Sequence, residues 1–270
     1  MRIPVQENPF LNLWALHPRV PGLAKRRREF IKFGFVAVVA ALFAFLLGFP
    51  LLREHDLPGQ GTQSYSFVGS VLVLPPPRLK GAMSVEEAIH KRRSKRDYSD
   101  EPITLEELSQ ILYSAQGVSE PVNRLRTAPS AGGTYPLEIY VVVKEGGCAT
   151  LEAGTYRYDP PQHALERSSR GDIHEELTAA SLDQEWVRDA AVNIIVAAEY
   201  ERTTGRYGDR GIRYVHMEVG HVGQNIYLEA TSLGLGTVVI GAFHDDQIQG
   251  LLNLSENCKP LYVIPVGRPR

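Results

Sequence analysis

The chain has 270 residues and a formal charge of −2, a length that suits one sizeable domain with an appendage. Near-neutral charge gives no general attraction to nucleic acid, and 43% hydrophobic with 22% charged residues is a folded rather than a disordered composition. The two cysteines, Cys148 and Cys258, form no CxxC pair, and the eight histidines include no HExxH pair, so a metal centre is not expected.

In chain order, residues 1–32 read as a proline-bearing N-terminal segment. Phe33 to Leu52 then runs without a charged residue. About twenty residues rising 1.5 Å each span the hydrocarbon core of a bilayer. A cleavable signal peptide is the rival reading, but its basic region is usually short, and this apolar run starts beyond residue 30. The sequence therefore predicts an uncleaved single-pass anchor at 33–52. Lys25, Arg26, Arg27, Arg28 and Lys32 stand before the run, while Arg53, Glu54 and Asp56 follow it. By the positive-inside rule the N-terminal segment is cytoplasmic and residues 53–270 are extracytoplasmic.

Residues 53–83, with PGQGTQ and Pro75-Pro76-Pro77, predict an extended linker, and the catalytic body is expected to occupy 84–270. Ser84-Val-Glu-Glu87 and Thr104-Leu-Glu-Glu107 have the spacing of helix capping boxes. Ile139–Val143 and Asn193–Ala198 read as buried strands, and Thr155–Tyr158 alternates like a strand edge. Gly211–Leu233 is the longest helical candidate, apolar around most of its circumference and so expected to be buried on more than one side. A strand at Thr237–Ile240, a helix at Asp245–Leu252 and a strand at Leu261–Val266 complete an α+β domain, with helices around a mixed sheet.

Four segments carry candidate chemistry. Arg92-Arg93-Ser94-Lys95-Arg96 offers four cations and a hydroxyl, and guanidinium forks match phosphate oxygens; a solvated basic helix end is the plainer reading. Ala128-Pro-Ser-Ala-Gly-Gly-Thr-Tyr-Pro136 lets backbone pass close to a flat ligand, or is simply a tight loop before a strand. Gly234–Phe243 is glycine-rich, but a helix ends and a strand begins there, the reverse of a dinucleotide fingerprint. Gly241-Ala242 at its end presents backbone N–H groups. The terminus Pro265–Arg270 delivers two arginines that either complete an anion site or form a basic tail.

In this order the segments resemble the nitroreductase superfamily, specifically its SagB-type, azoline-oxidase-like dehydrogenases. The resemblance runs from about Met83 to Arg270 through RRSKRDYSDEPITLEELSQIL, RTAPSAGGTYPLEIYVVV, GTYRYDP, RYGDRGIRYVHMEVGHVGQNIYLEATSLGLGTVVIGAF and PLYVIPVGRP. It implies a homodimer with FMN at the subunit interface. Arg92, Arg93, Ser94 and Arg96 would hold the phosphate and ribityl chain, with Arg268 or Arg270 closing the phosphate site. The partner subunit's Pro129, the partner subunit's Ser130, the partner subunit's Ala131 and the partner subunit's Gly132 would lie along the cofactor. Gly241 and Ala242 would face flavin N5. The long helix would form the dimer core, and its His216, Glu218, His221, Gln224 and Asn225 read singly as satisfied structural groups, some facing the pocket.

One position departs from the pattern. Azoline-oxidising members carry Lys-Tyr before a YGxRGxRY-like stretch, with the lysine as candidate base; here the pair is Arg206-Tyr207. Arginine stays protonated and cannot serve as a general base, so Arg206 is left to bind an anion or orient a carbonyl, and Tyr207 retains an acid role. The resemblance implies an FMN oxidoreductase of unknown substrate, either reduced by NAD(P)H or oxidising a peptide or small heterocycle. The alternative is a membrane-tethered flavin-binding or maturation partner without turnover of its own.

Overall fold

The three apolar strand candidates form the centre of the sheet. In the computed structural model, which describes residues 65–270, β4 (Leu137–Val143) pairs antiparallel with β7 (Val192–Glu199), Val141 opposite Ile194. β7 pairs in turn with β9 (Cys258–Gly267). Seven of the eight residues of β7 are buried, because both faces of the sheet are covered and the strand can be apolar throughout. Outward from β4 lie the hairpin of β5 (Gly154–Asp159) and β6 (Ala164–Arg170), then β1 (Val71–Val73); β8 (Gly236–Thr237) closes the other edge. Neighbouring strands in this sheet are antiparallel, a parallel contribution comes from the isolated bridge of Ile103 to Cys148, and β2 (Val118–Glu120) with β3 (Leu125–Arg126) forms a separate two-stranded ribbon.

Alternate β7 side chains feed two cores. Ile194 and Val196 pack with Ile111, Leu112, Val215, Val222 and Ile226 beneath α2 (Leu105–Gln116) and α6 (Arg210–Ser232). Ile195 faces the other way, with Leu177, Val187, Ile248 and Val263, beneath α3 (His174–Ala180), α4 (Glu185–Asp189) and α7 (Asp245–Leu251). The predicted caps are present: Ser84 Oγ accepts from Glu87 N–H at 3.2 Å at the start of α1 (Val85–Lys91), and Thr104 and Glu107 form a reciprocal box on α2. Gly234, just beyond α6, adopts φ +74°, the left-handed C-terminal position expected for it.

Several expectations change. The N-terminal segment and the 33–52 span lie outside the described residues; among the described residues no helix is long and apolar enough to cross a membrane. The folded body begins ahead of Ser84, since Val71–Val73 pairs with β6 and Leu72 and Leu74 are buried. Part of the segment read as linker is therefore sheet, overlooked because three residues are too short for periodicity to register. Residues 237–240 do not form one strand. Thr237 pairs with Val266 and Ile240 bridges Val263, but Val239 N–H leaves the ladder and donates to Tyr227 Oη at 2.9 Å. The long helix buries one stripe in the protomer, with Met217 exposed opposite it and Ile212 exposed in its first turn, rather than being covered on several sides. Both cysteines are buried, free thiols.

The proline run is tied to the body by a polar knot. Ser109 Oγ donates to Pro75 O at 2.6 Å, His163 Nε2 lies 3.0 Å from the same oxygen, and His163 Nδ1 is 2.8 Å from Tyr158 Oη. A neutral ring protonated at Nε2 satisfies both contacts, and burial holds the His163 pKa below its ordinary value; burial does the same for His174. The unfolded chain therefore takes up these protons first, at about pH 6.5. Folding stability is expected to be fully present above that pH and to fall as pH drops toward the lower folded values. Denaturant titrations at pH 7.5 and 5.5 check this: a midpoint that does not move, or rises on acidification, contradicts it.

Candidate active site

The strip Arg92–Arg96 follows α1 and is pinned along its backbone. Lys95 N–H donates to Thr237 O at 2.9 Å, and Tyr98 Oη donates to Lys95 O at 2.7 Å. The Tyr98 ring lies against Gly236 and Gly267, where an added Cβ would sit 3.1 and 3.2 Å from it. The side chains are thus displayed from a fixed backbone. Arg92 stacks over Tyr227 at 5.0 Å, Arg96 over Trp186 at 5.5 Å, and Arg93 donates to His90 O and Arg92 O. Among the described residues none of the cations at 92, 93, 95 and 96 is ion-paired with a carboxylate.

Tyr227, on α6, joins this strip to the predicted Gly234–Phe243 segment. Its Oη is 2.9 Å from Ser94 Oγ and accepts the Val239 N–H at 2.9 Å. Two residues beyond Val239 stand Gly241 and Ala242, both exposed, with no backbone hydrogen bond from either N–H among the described residues. Ala242 O is occupied by Gln184 Nε2 at 2.9 Å. Sequence reasoning missed Tyr227: in a helix read as apolar all round, nothing in its spacing ties it to a serine 133 positions earlier.

The C-terminal strand returns beside the strip, with Ser99 N–H donating to Arg268 O and Arg270 N–H to Asp97 O. The two arginines are not free. Arg268 Nη2 donates to Glu107 Oε2 at 3.0 Å, which ties the strip's neighbour to the capping box of α2, and Arg270 Nη1 is 3.4 Å from Asp97 Oδ1. The Arg270 pair is solvent-exposed and so is worth no more than about 1 kcal/mol.

A second cluster forms around the loop Pro129–Gly133. Arg206 Nη1 donates to Gly132 O at 2.9 Å, and its guanidinium lies 5.4 Å from the ring of Tyr207, which meets Tyr214 edge-on. Arg206 and Tyr207, adjacent near the C-terminus of α5 (Glu201–Tyr207), thus converge on the predicted cofactor loop. The Tyr207 hydroxyl has no hydrogen-bond partner among the described residues and is available to a ligand. The other polar groups of the long helix are partly satisfied in the protomer: His216 pairs with Tyr200 at 2.7 Å, and Asn225 donates to Ser114 O at 2.9 Å.

One protomer does not bring the strip and the loop together. The loop cluster meets α6 at Tyr214 and the strip meets it at Tyr227. Thirteen residues along a helix amount to about 20 Å, so the two clusters stand well apart. A cavity of about 650 Å³ between Arg78, Gln110 and Glu229 is lined by none of the residues predicted for cofactor binding or catalysis, though Asn225 borders it.

Comparison with known proteins identifies the family. A family model described as the nitroreductase family matches residues 89–268, and the chain belongs to that family. A Methanocaldococcus jannaschii protein that carries the nitroreductase name is 50% identical over 186 residues, which cover 69% of this chain and 91% of the relative. Relatives of the SagB type are among its homologues: the microcin B17-processing protein of Escherichia coli is 25% identical, over 57% of this chain and 58% of that protein. A crystal structure from Anabaena variabilis, also named as a nitroreductase, superposes with a TM-score of 0.61 at 35% identity, covering 69% of this chain and 38% of the longer one. The chain thus spans less than two thirds of the length of these last two relatives.

Proposed function

We propose that the protein is an FMN-dependent oxidoreductase that works as a homodimer. The observation that carries this reading is the pairing of a pinned row of cations lacking carboxylate partners with two outward backbone N–H groups, both anchored on Tyr227. An anion beside the strip and a flat acceptor edge beside Gly241 and Ala242 fit that donor set. In this reading Arg92, Arg93, Ser94 and Arg96 hold the phosphate and ribityl chain. Of the two terminal arginines, Arg270 is the one freed at little cost to close the phosphate site, because its pair with Asp97 is exposed. FMN, when bound, supplies two-electron redox chemistry at its N5 edge. The protein's part is to orient that edge and exclude water.

The homodimer belongs to the same reading. In it the partner subunit's Pro129, the partner subunit's Ser130, the partner subunit's Ala131 and the partner subunit's Gly132 supply the second wall, because the loop of a given protomer stands about 20 Å along the long helix from its own strip. The exposed Ile212 and Met217 on that helix suit a subunit contact. Arg206, committed to Gly132 O, shapes the loop instead of acting as a base, and the free Tyr207 hydroxyl is the candidate acid. A membrane anchor at 33–52, with the catalytic domain outside the cytoplasm, completes the reading. The missing base favours one second reading, a flavin-binding maturation partner without turnover.

The test is the visible spectrum of the full chain in detergent, before and after anaerobic NADH or NADPH. A flavin spectrum that bleaches identifies a pyridine-nucleotide reductase. One that persists points to a substrate dehydrogenase or to the partner reading. A colourless protein that takes up no FMN contradicts the proposal.

A further inference from the structure

We propose that a cavity at the Thr134–Tyr135 end of the loop binds an oxyanion, the carboxylate of a substrate or the phosphate of a nucleotide electron donor. The role in turnover rests on the flavin reading above, whereas the anion binding does not. The cavity holds about 280 Å³, room for the charged end of a ligand rather than for a whole nucleotide. Three arginines, Arg124, Arg126 and Arg202, line it together with Thr134 and Tyr135, and no carboxylate does. One wall is the β2–β3 ribbon, which stands apart from the main sheet. Arg202 is balanced: Nη2 lies 2.7 Å from Glu138 Oε1 and 3.1 Å from Glu199 Oε2. Arg124 and Arg126 are ion-paired with no carboxylate among the described residues. The ribbon's own acid is engaged elsewhere, since Glu120 accepts the Val122 and Asn123 N–H groups at 2.9 and 2.8 Å.

Arg126 is half-buried and held in place. Nη1 donates to Gln116 Oε1 at 2.9 Å, the guanidinium lies 4.4 Å from the centre of the Tyr135 ring, and the backbone N–H donates to Tyr135 Oη at 3.2 Å. Among the described residues nothing accepts its remaining guanidinium N–H groups, and nothing accepts the Tyr135 hydroxyl proton. Arginine stays charged at any working pH, so folding leaves a cation drawn partly out of water with no anion to offset it. Burial lowers the Arg126 pKa, the direction such a cost gives. A bound oxyanion supplies the offset, and guanidinium forks match its oxygens in pairs. Two non-glycine residues of the lining hold left-handed backbone, Arg124 at φ +55° and Tyr135 at +45°, conformations that cluster at ligand clamps.

The cavity also stands near the candidate acid. Arg202 and Arg206 are one turn of α5 apart, about 6 Å, and donate to Tyr135 O and Gly132 O of the same loop. Tyr207 lies against Gly132. In the flavin reading the loop walls the cofactor, so an anion held at one end sets the rest of the molecule along the loop toward Tyr207.

The experiment is hydrogen–deuterium exchange of residues 118–126 and 133–136 in flavin-free, full-length protein in detergent, with sodium benzoate, inorganic phosphate or neither, at constant ionic strength. A saturating anion is expected to slow exchange of both segments in wild type by about fivefold or more while leaving β7 unchanged. Protection by benzoate assigns the cavity to a substrate carboxylate, and protection by phosphate alone assigns it to a nucleotide phosphate. Arg126→Gln is expected to abolish the protection. Arg124→Gln, at the exposed tip of the ribbon, is expected to weaken the apparent affinity about threefold, the scale of an exposed ion pair. Protection that is absent with both anions, survives Arg126→Gln, or extends equally to β7 overturns the proposal. If Arg126→Gln does not fold, Arg124→Gln decides, and an unchanged affinity there overturns it. FMN dissociation constants are expected to stay within about twofold in Arg124→Gln, because the cavity serves a ligand other than the cofactor; a rise of about tenfold overturns the role in turnover. A wild type that takes up no FMN contradicts the flavin reading alone, because the protection is read without flavin.

Discussion

Gly132→Ala is expected to weaken FMN binding more than tenfold and to destabilise the protein by about 1–3 kcal/mol. Two effects act together. The residue sits at φ +62°, where a Cβ is strained whatever the space. The space is also taken: a Cβ would collide with the Tyr207 hydroxyl and would approach Arg206 Nη1 to 2.7 Å. Relief requires the arginine to release Gly132 O or the tyrosine to turn away, and either changes the candidate catalytic pair as well as the loop. FMN titration with thermal denaturation checks both parts. Gly133→Ala is the natural control, because it shares the positive φ but has only an ordinary contact at 3.9 Å. Equal losses at the two positions would show backbone strain alone to be responsible.

The second large effect is expected at Tyr98, 1% exposed and distant in sequence from the strands it supports. Tyr98→Ala removes a whole buried aromatic ring beneath Gly236 and Gly267 and is expected to cost about 3–5 kcal/mol. It also frees Lys95 O, so FMN affinity should fall with stability. Tyr98→Phe keeps the ring and loses the 2.7 Å hydrogen bond, for about 1 kcal/mol, and should loosen the cation strip with little global cost. Denaturant unfolding and FMN titration of both variants separate the two contributions. If Tyr98→Ala proves no worse than Tyr98→Phe, the ring does not support the strip as described.

Much of this architecture was legible before any coordinates. The caps at Ser84 and Thr104, the central strands and the long helix all rest on local chemistry: a hydroxyl three residues ahead of a glutamate, a β-branched run, a long stretch of apolar residues free of proline. Short or half-exposed elements were not legible. Val71–Val73 depends on Ala164–Arg170 for its pairing, and neither carries enough alternation to announce itself.

The sequence by itself determined which groups are available to a site: a cation strip, a small-residue loop, free N–H groups after a strand, and an arginine–tyrosine pair where a lysine was expected. Those are properties of residue type and close spacing, and they survive any fold that keeps the local order. Only the tertiary structure decided which of them meet. Tyr227 links Ser94 to Val239, Arg206 grips Gly132 O, and Gln116 reaches Glu218 across long stretches of chain. It also decided that Arg268, one of the two terminal cations offered to an anion site, is paired with Glu107. Such contacts depend on the relative placement of helix, sheet and loop, which is fixed by packing over the whole domain and leaves no mark in a local window.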